Sequence, residues 1–84
     1  MLKHKLNSPL IISTVGNLHK STVKIVAKSK TLDIDLSGVK NIDSAGVAFL
    51  LDLKSIAKNI GCALSFSNTP DIIERFCQLY KVSL

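Results

Sequence analysis

Apolar positions along the chain change period several times, and those changes divide it into alternating strands and helices. Thr31–Leu36 alternates, with Leu32, Ile34 and Leu36 on one side and Asp33 and Asp35 on the other. That period of two predicts a half-buried strand. Cys62–Ser67 repeats the pattern, setting Cys62, Leu64 and Phe66 opposite Ala63, Ser65 and Ser67. Near the N-terminus, Lys3–Leu6 and Leu10–Thr14 read as two further strands. They are joined by Asn7-Ser8-Pro9, a turn composition that predicts a hairpin. Gly16-Asn17 then reads as a break.

Three stretches carry helical spacing. From Leu18 to about Ser29, Leu18, Ile25 and Val26 lie opposite Lys20, Lys24 and Lys28, which predicts a short amphipathic helix. Ser44 to about Ile60 forms the longest helix. Asp43 is placed to accept orphan amide hydrogens of its first turn, and Gly61 suits the left-handed position just past its end. The last helix runs from Pro70 to about Tyr80 with Thr69 as cap, and presents Ile72, Ile73, Phe76 and Tyr80 on one face. The predicted order is ββαβαβα, with a possible terminal strand at Val82-Ser83. This is an α/β fold in one domain, residues 1–84, whose mixed β-sheet carries helices mainly on one face.

The helix after Asp43 has more apolar surface than a sheet-covering helix needs. At 100° per residue, Gly46, Phe49, Leu50, Leu53, Ile56, Ala57 and Ile60 share one arc, wide enough to form the core. Ser44, Val47, Ala48, Leu51 and Ser55 form a second stripe on the other side. Two readings stay open for that stripe. Neighbouring helices shield it, or it is a docking face for a partner helix or groove. Ser44 opens the helix, where a phosphate would meet free amides and the positive end of the dipole; a serine there is also an ordinary cap.

Composition narrows the function classes. The chain has 84 residues, 46% of them hydrophobic and 20% charged, with no Trp, so one modest aliphatic core is expected. The longest apolar run, Val47–Leu51, is far short of a membrane span, and Pro9–Ile12 is too short for a signal-peptide core. Cys62 and Cys77 read as reduced thiols of a cytoplasmic protein. The net charge is +5, but residues 1–30 carry +6 and residues 31–84 carry −1. A basic half suggests attraction to acidic partners, nucleic acid or anionic lipid, whereas Lys20, Lys24 and Lys28, four apart, read as the solvated stripe of a helix. Without an aromatic platform or a nucleic-acid motif, no nucleic-acid partner is expected. His4 and His19 stand in no nucleophile pattern, and neither metal-ligand spacing nor a phosphate-binding glycine loop occurs, so no enzyme, cofactor or metal is expected.

Asp33-Ile34-Asp35-Leu36-Ser37 followed by Ile42-Asp43-Ser44-Ala45-Gly46-Val47-Ala48-Phe49-Leu50-Leu51 resembles the STAS domain signature: a strand ending Asp-Leu-Ser, a loop, then Asp-[Ser/Thr]-x-Gly opening a helix. The resemblance covers residues 31–82; residues 1–30 match in element order alone. Ala45 in Asp-Ser-Ala-Gly, and the ending Phe76–Val82 with its Leu79-Tyr80, look like the MlaB-like branch. That resemblance implies a non-catalytic cytoplasmic subunit, peripheral to the inner membrane. It would bind the MlaF-like ATPase of an ABC phospholipid transporter, in complex with a membrane permease, and support outer-membrane lipid asymmetry. Its contact surface would comprise Asp43, Ser44, Ala45, Val47, Ala48, Leu51 and Ser55. The alternative is an anti-sigma factor antagonist regulated by phosphorylation of Ser44, the position that matches the phosphorylated residue of that branch. Self-association through an exposed stripe is a further possibility.

Overall fold

The computed structural model describes residues 2–84. Three strands, β1 (Leu2–Lys5), β2 (Thr31–Asp35) and β3 (Ala63–Ser67), alternate with three helices, α1 (Ile12–Ala27), α2 (Ser44–Ile60) and α3 (Asp71–Leu79). The strands form one sheet in the order β1-β2-β3, and both pairings are parallel. Parallel neighbours need crossover connections. Helices α1 and α2 make those crossovers, so they run in the same direction as each other.

The sheet has two unlike faces. Leu32, Ile34 and Leu36 are buried and join Val26 of α1, Phe49, Leu50 and Leu53 of α2, and Ile73 of α3 in one core. The register explains the other face. It aligns Lys3 with Asp33 and Ser65, and Lys5 with Asp35 and Ser67, so polar residues run in rows across all three strands. Both Ser65 and Ser67 donate hydroxyl hydrogen bonds to the Asp33 carboxylate, at 2.8 and 2.5 Å. These bonds, led by Ser67, hold the Asp33 carboxyl below the usual carboxylate range. The helices therefore pack on one face, as the alternation predicts.

Three expectations for the sheet need correction. Leu10–Thr14 is not a strand paired in a hairpin, and among the described residues the sheet is parallel rather than mixed. Leu10 makes one isolated parallel bridge to Ile42, and α1 begins at Ile12, running through Gly16 and Asn17 without a break. The third correction is at the C-terminus, where residues 82–84 form no strand. Instead, the Val82 amide bonds to the Cys77 carbonyl, and the Ser83 and Leu84 carbonyls accept hydrogen bonds from Lys54 Nζ on α2.

The remaining helix ends agree closely with the sequence. Gly61 takes φ 78° and ends α2, with the amide of Cys62 reaching back to the Ala57 carbonyl. α3 starts one residue later than expected, with Pro70 in the cap position and no side-chain cap from Thr69. Lys20 and Lys24 on α1 and Lys28 at its C-terminal cap are all exposed, as a solvated stripe requires. Cys62 and Cys77 are free and buried, and burial pushes the Cys77 thiol up from its usual pKa.

Candidate functional site

Asp43 and Gly46 hold the site together. α1 opens at Ile11, whose side chain has no acceptor with which to cap it. The acceptor comes from elsewhere in the chain. Asp43 Oδ2 accepts the Ile12 amide at 3.0 Å, while Oδ1 accepts the Gly46 amide at 3.1 Å. One carboxylate therefore caps both α1 and α2, and its negative charge sits where the positive ends of two helix dipoles converge. Thr14 assists by accepting the Ile11 amide and donating to the Pro9 carbonyl.

Gly46 serves the same junction by being small. The Leu10 backbone crosses beneath the first turn of α2, with the Leu10 amide bonded to the Asn41 carbonyl and the Asp43 amide to the Leu10 carbonyl. A Cβ on Gly46 would run into the Leu10 carbonyl oxygen and come within 2.7 Å of the Ile42 side chain and 2.8 Å of Leu10 Cβ. Of the four residues Asp43-Ser44-Ala45-Gly46, the first and last are thus committed to architecture. Ser44 is exposed and Ala45 half-exposed. The Ser44 hydroxyl takes part in none of the side-chain hydrogen bonds among the described residues.

Further along α2 the second stripe divides. Ser44, Ala48 and Ser55 face solvent, and Leu51 is half-buried. Val47 does not belong with them: at 4% exposure it is part of the core, and its side chain is not available to a partner on this surface. Val47 joins the core, while further along α2 Lys54 holds the C-terminal residues in place, with Val82 and Leu84 half-buried against that core. Val47 is thus shielded within the protein, while Ser44, Ala48 and Ser55 are open to solvent.

The open part continues into a groove that sequence reasoning missed. Ala45, Ala48, Phe49 and Asp52 of α2 face Val15, Gly16 and His19 of α1 across a shallow depression. At its lower end His19 Nε2 pairs with Asp52 Oδ2 at 2.6 Å, and the His19 ring stands edge-on to Phe49 with centroids 6.2 Å apart. His19 and Asp52 are 40% and 53% exposed, so the pair closes the groove without adding much stability. Placing the start of α1 at Leu18 hid this feature. A helix from Ile12 puts Ile12, Val15, Gly16, His19 and Val23 on the side turned to α2.

Among the described residues, no group of three or more His, Cys, Asp or Glu could hold a metal ion, and no helix is long and apolar enough to cross a membrane. His19 bonds to the Asp52 carboxylate on the surface, and both thiols are buried. Beside the first turns of α1 and α2 lies a surface of small and apolar residues. No curated protein matches the chain. A family model described as "Mlab, STAS domain" matches residues 5–83. With the parallel α/β core and the doubly capped Asp-Ser-Ala-Gly junction in place, that match across nearly the whole sequence means that the chain belongs to the STAS domain family, in its MlaB-like group.

Proposed function

We propose that this protein is a non-catalytic docking subunit that binds the cytoplasmic ATPase of an ABC-type phospholipid transporter and supports its assembly and activity. The observation that carries this reading is the division of labour within Asp43–Gly46. The fold uses Asp43 and Gly46 internally and leaves Ser44, Ala45 and, one turn on, Ala48 at the surface with no internal task. A surface of small side chains lets a partner's backbone approach closely. The MlaB-like family match directs the choice of partner to the transporter ATPase, which itself assembles with a membrane permease. Such a complex would hold the protein on the cytoplasmic side of the inner membrane, without a span of its own.

The second reading is an anti-sigma factor antagonist switched at Ser44. It is favoured by the exposure of Ser44 at the first turn of α2, beside the start of α1, where a phosphate would add negative charge next to the Asp43 carboxylate and so change the contact surface. Purifying the chain with each candidate partner separates the two. The first reading predicts a stable complex with the transporter ATPase and no phosphate transfer. Binding to a kinase-like anti-sigma factor, with phosphorylation of Ser44 and no ATPase complex, would replace it.

A further inference from the structure

Gly16 lies in the fifth position of α1, well inside a 16-residue helix. Glycine is the least favourable helix residue after proline, because fixing its backbone costs the most entropy. Within the protein nothing justifies it. A Cβ at Gly16 would find no atom within 4 Å, and no positive φ occurs there. By contrast, Gly46 is bare because Leu10 passes against it, and Gly61 because its φ is positive. Gly16 is left bare toward solvent, on the side of α1 that borders the groove with Ala45 and Ala48.

We infer that the α1–α2 groove seats an amphipathic helix of the partner protein, packed over Gly16 and Ala48, with carboxylates on the flank that passes α1. The inference rests on the docking reading above and deepens it by naming the surface and its occupant. The apolar part of the occupant follows from the walls, Val15 and Phe49, and from Ile12, which stands 76% exposed one helical turn before Val15 and Gly16. Its acidic flank follows from charge. Residues 1–30 contain six lysines and no Asp or Glu, and Lys20 and Lys24 stand exposed on the outer side of α1. The first turns of α1 and α2 contain no acidic residue, and the Asp43 carboxylate between them is offset by the two helix starts that it caps. The one acidic residue lining the groove, Asp52, is taken up by His19. A second copy of this chain is a poor occupant, since it would set two lysine-edged rims against each other on molecules of net charge +5.

The test measures affinity and melting together. Gly16→Leu fills the groove while improving helix propensity, so its effect on binding is opposite in sign to its effect on folding. With the purified transporter ATPase as probe, titration calorimetry should show binding weakened at least tenfold in Gly16→Leu, and Tm raised by a few degrees. Lys20→Glu with Lys24→Glu should also weaken binding, and the loss should shrink as salt rises. Wild-type affinity in Gly16→Leu, with binding lost in Ala48→Glu, would overturn the groove while leaving ATPase docking intact. A lowered Tm in Gly16→Leu would show that the groove is packed internally and overturn it as well. A concentration-dependent dimer of the wild type, abolished by Gly16→Leu, would assign the groove to a second copy instead. If the wild type binds no ATPase but does bind a kinase-like anti-sigma factor, the ATPase reading fails. The same variants titrated against that partner then decide the groove: a tenfold loss upholds it and unchanged affinity overturns it. Failure of the wild type to bind either protein would remove both proposals.

Discussion

Replacing Asp43 with alanine should cost the protein two helix caps at once. Loss of one side-chain cap typically costs about 1 kcal/mol, and hydrogen bonds to a charged acceptor lie at the upper end of their range. Asp43 accepts the Ile12 and Gly46 amides with separate oxygens, so Asp43→Ala should destabilise by about 2–3 kcal/mol. A chain of this size has a total stability of roughly 4–12 kcal/mol, which makes that loss a large fraction. In thermal terms it corresponds to a fall in Tm of about 8–24 °C. Asp43→Ser separates the two caps. Serine can still cap its own helix, but its hydroxyl cannot also serve α1, so it should lose about half as much. Urea melts followed by circular dichroism give the free energies, and amide exchange at Ile12 and Gly46 tells which helix end has opened. In Asp43→Ser only Ile12 should exchange faster. If Asp43→Ala costs no more than a single cap, or if Asp43→Ser leaves the Ile12 amide protected, the shared cap is not what joins the two helices.

Three other perturbations probe separate parts of the structure. Gly46→Ala should destabilise by about 1–3 kcal/mol, the usual range for overpacking, because its methyl meets the Leu10 backbone; a melt within error of the wild type contradicts that. Thr22 is fully buried on α1 and its hydroxyl has no partner among the described residues, so Thr22→Val should be neutral or stabilising in urea. A clear loss of stability there would mean that the hydroxyl is satisfied. The Asp33 carboxyl is held below its unfolded value by Ser67 and Ser65, so its contribution is complete above about pH 4 and is lost as pH falls through the lower folded value. Ser65→Ala with Ser67→Ala should therefore flatten the decline of stability below about pH 4, and an unchanged acid limb argues against the network.

The alternation of Thr31–Leu36 and Cys62–Ser67 was enough to identify β2 and β3 and the side that packs on the helices, because Leu32, Ile34 and Leu36 join the core while the other face carries Asp33 with Ser65 and Ser67. α2 was legible from end to end, since Asp43 and Gly61 mark its limits with local chemistry. α1 was not. Its cap comes from Asp43, 31 residues away, so nothing next to Ile12 announces a helix. The run Leu10-Ile11-Ile12 then reads as a strand, and Gly16 reads as a break. From that one misplacement followed the expected hairpin, the mixed sheet and the missed groove. Within the candidate site, the outward position of Ser44, Ala48 and Ser55 followed from helical geometry alone, and the partial exposure of Leu51 agrees with it. The burial of Val47 did not follow, because the periodicity of α2 alone does not tell which of its flanks the rest of the core covers.

Ala48→Glu, titrated against the purified transporter ATPase and melted in urea, tests most directly whether the open side of α2 is a docking surface. Ala48 is exposed and mid-helix, so glutamate there should leave the urea midpoint within error of the wild type. If the surface docks the ATPase, the affinity of this variant should fall at least tenfold. An ATPase that binds Ala48→Glu as tightly as the wild type would contradict the account.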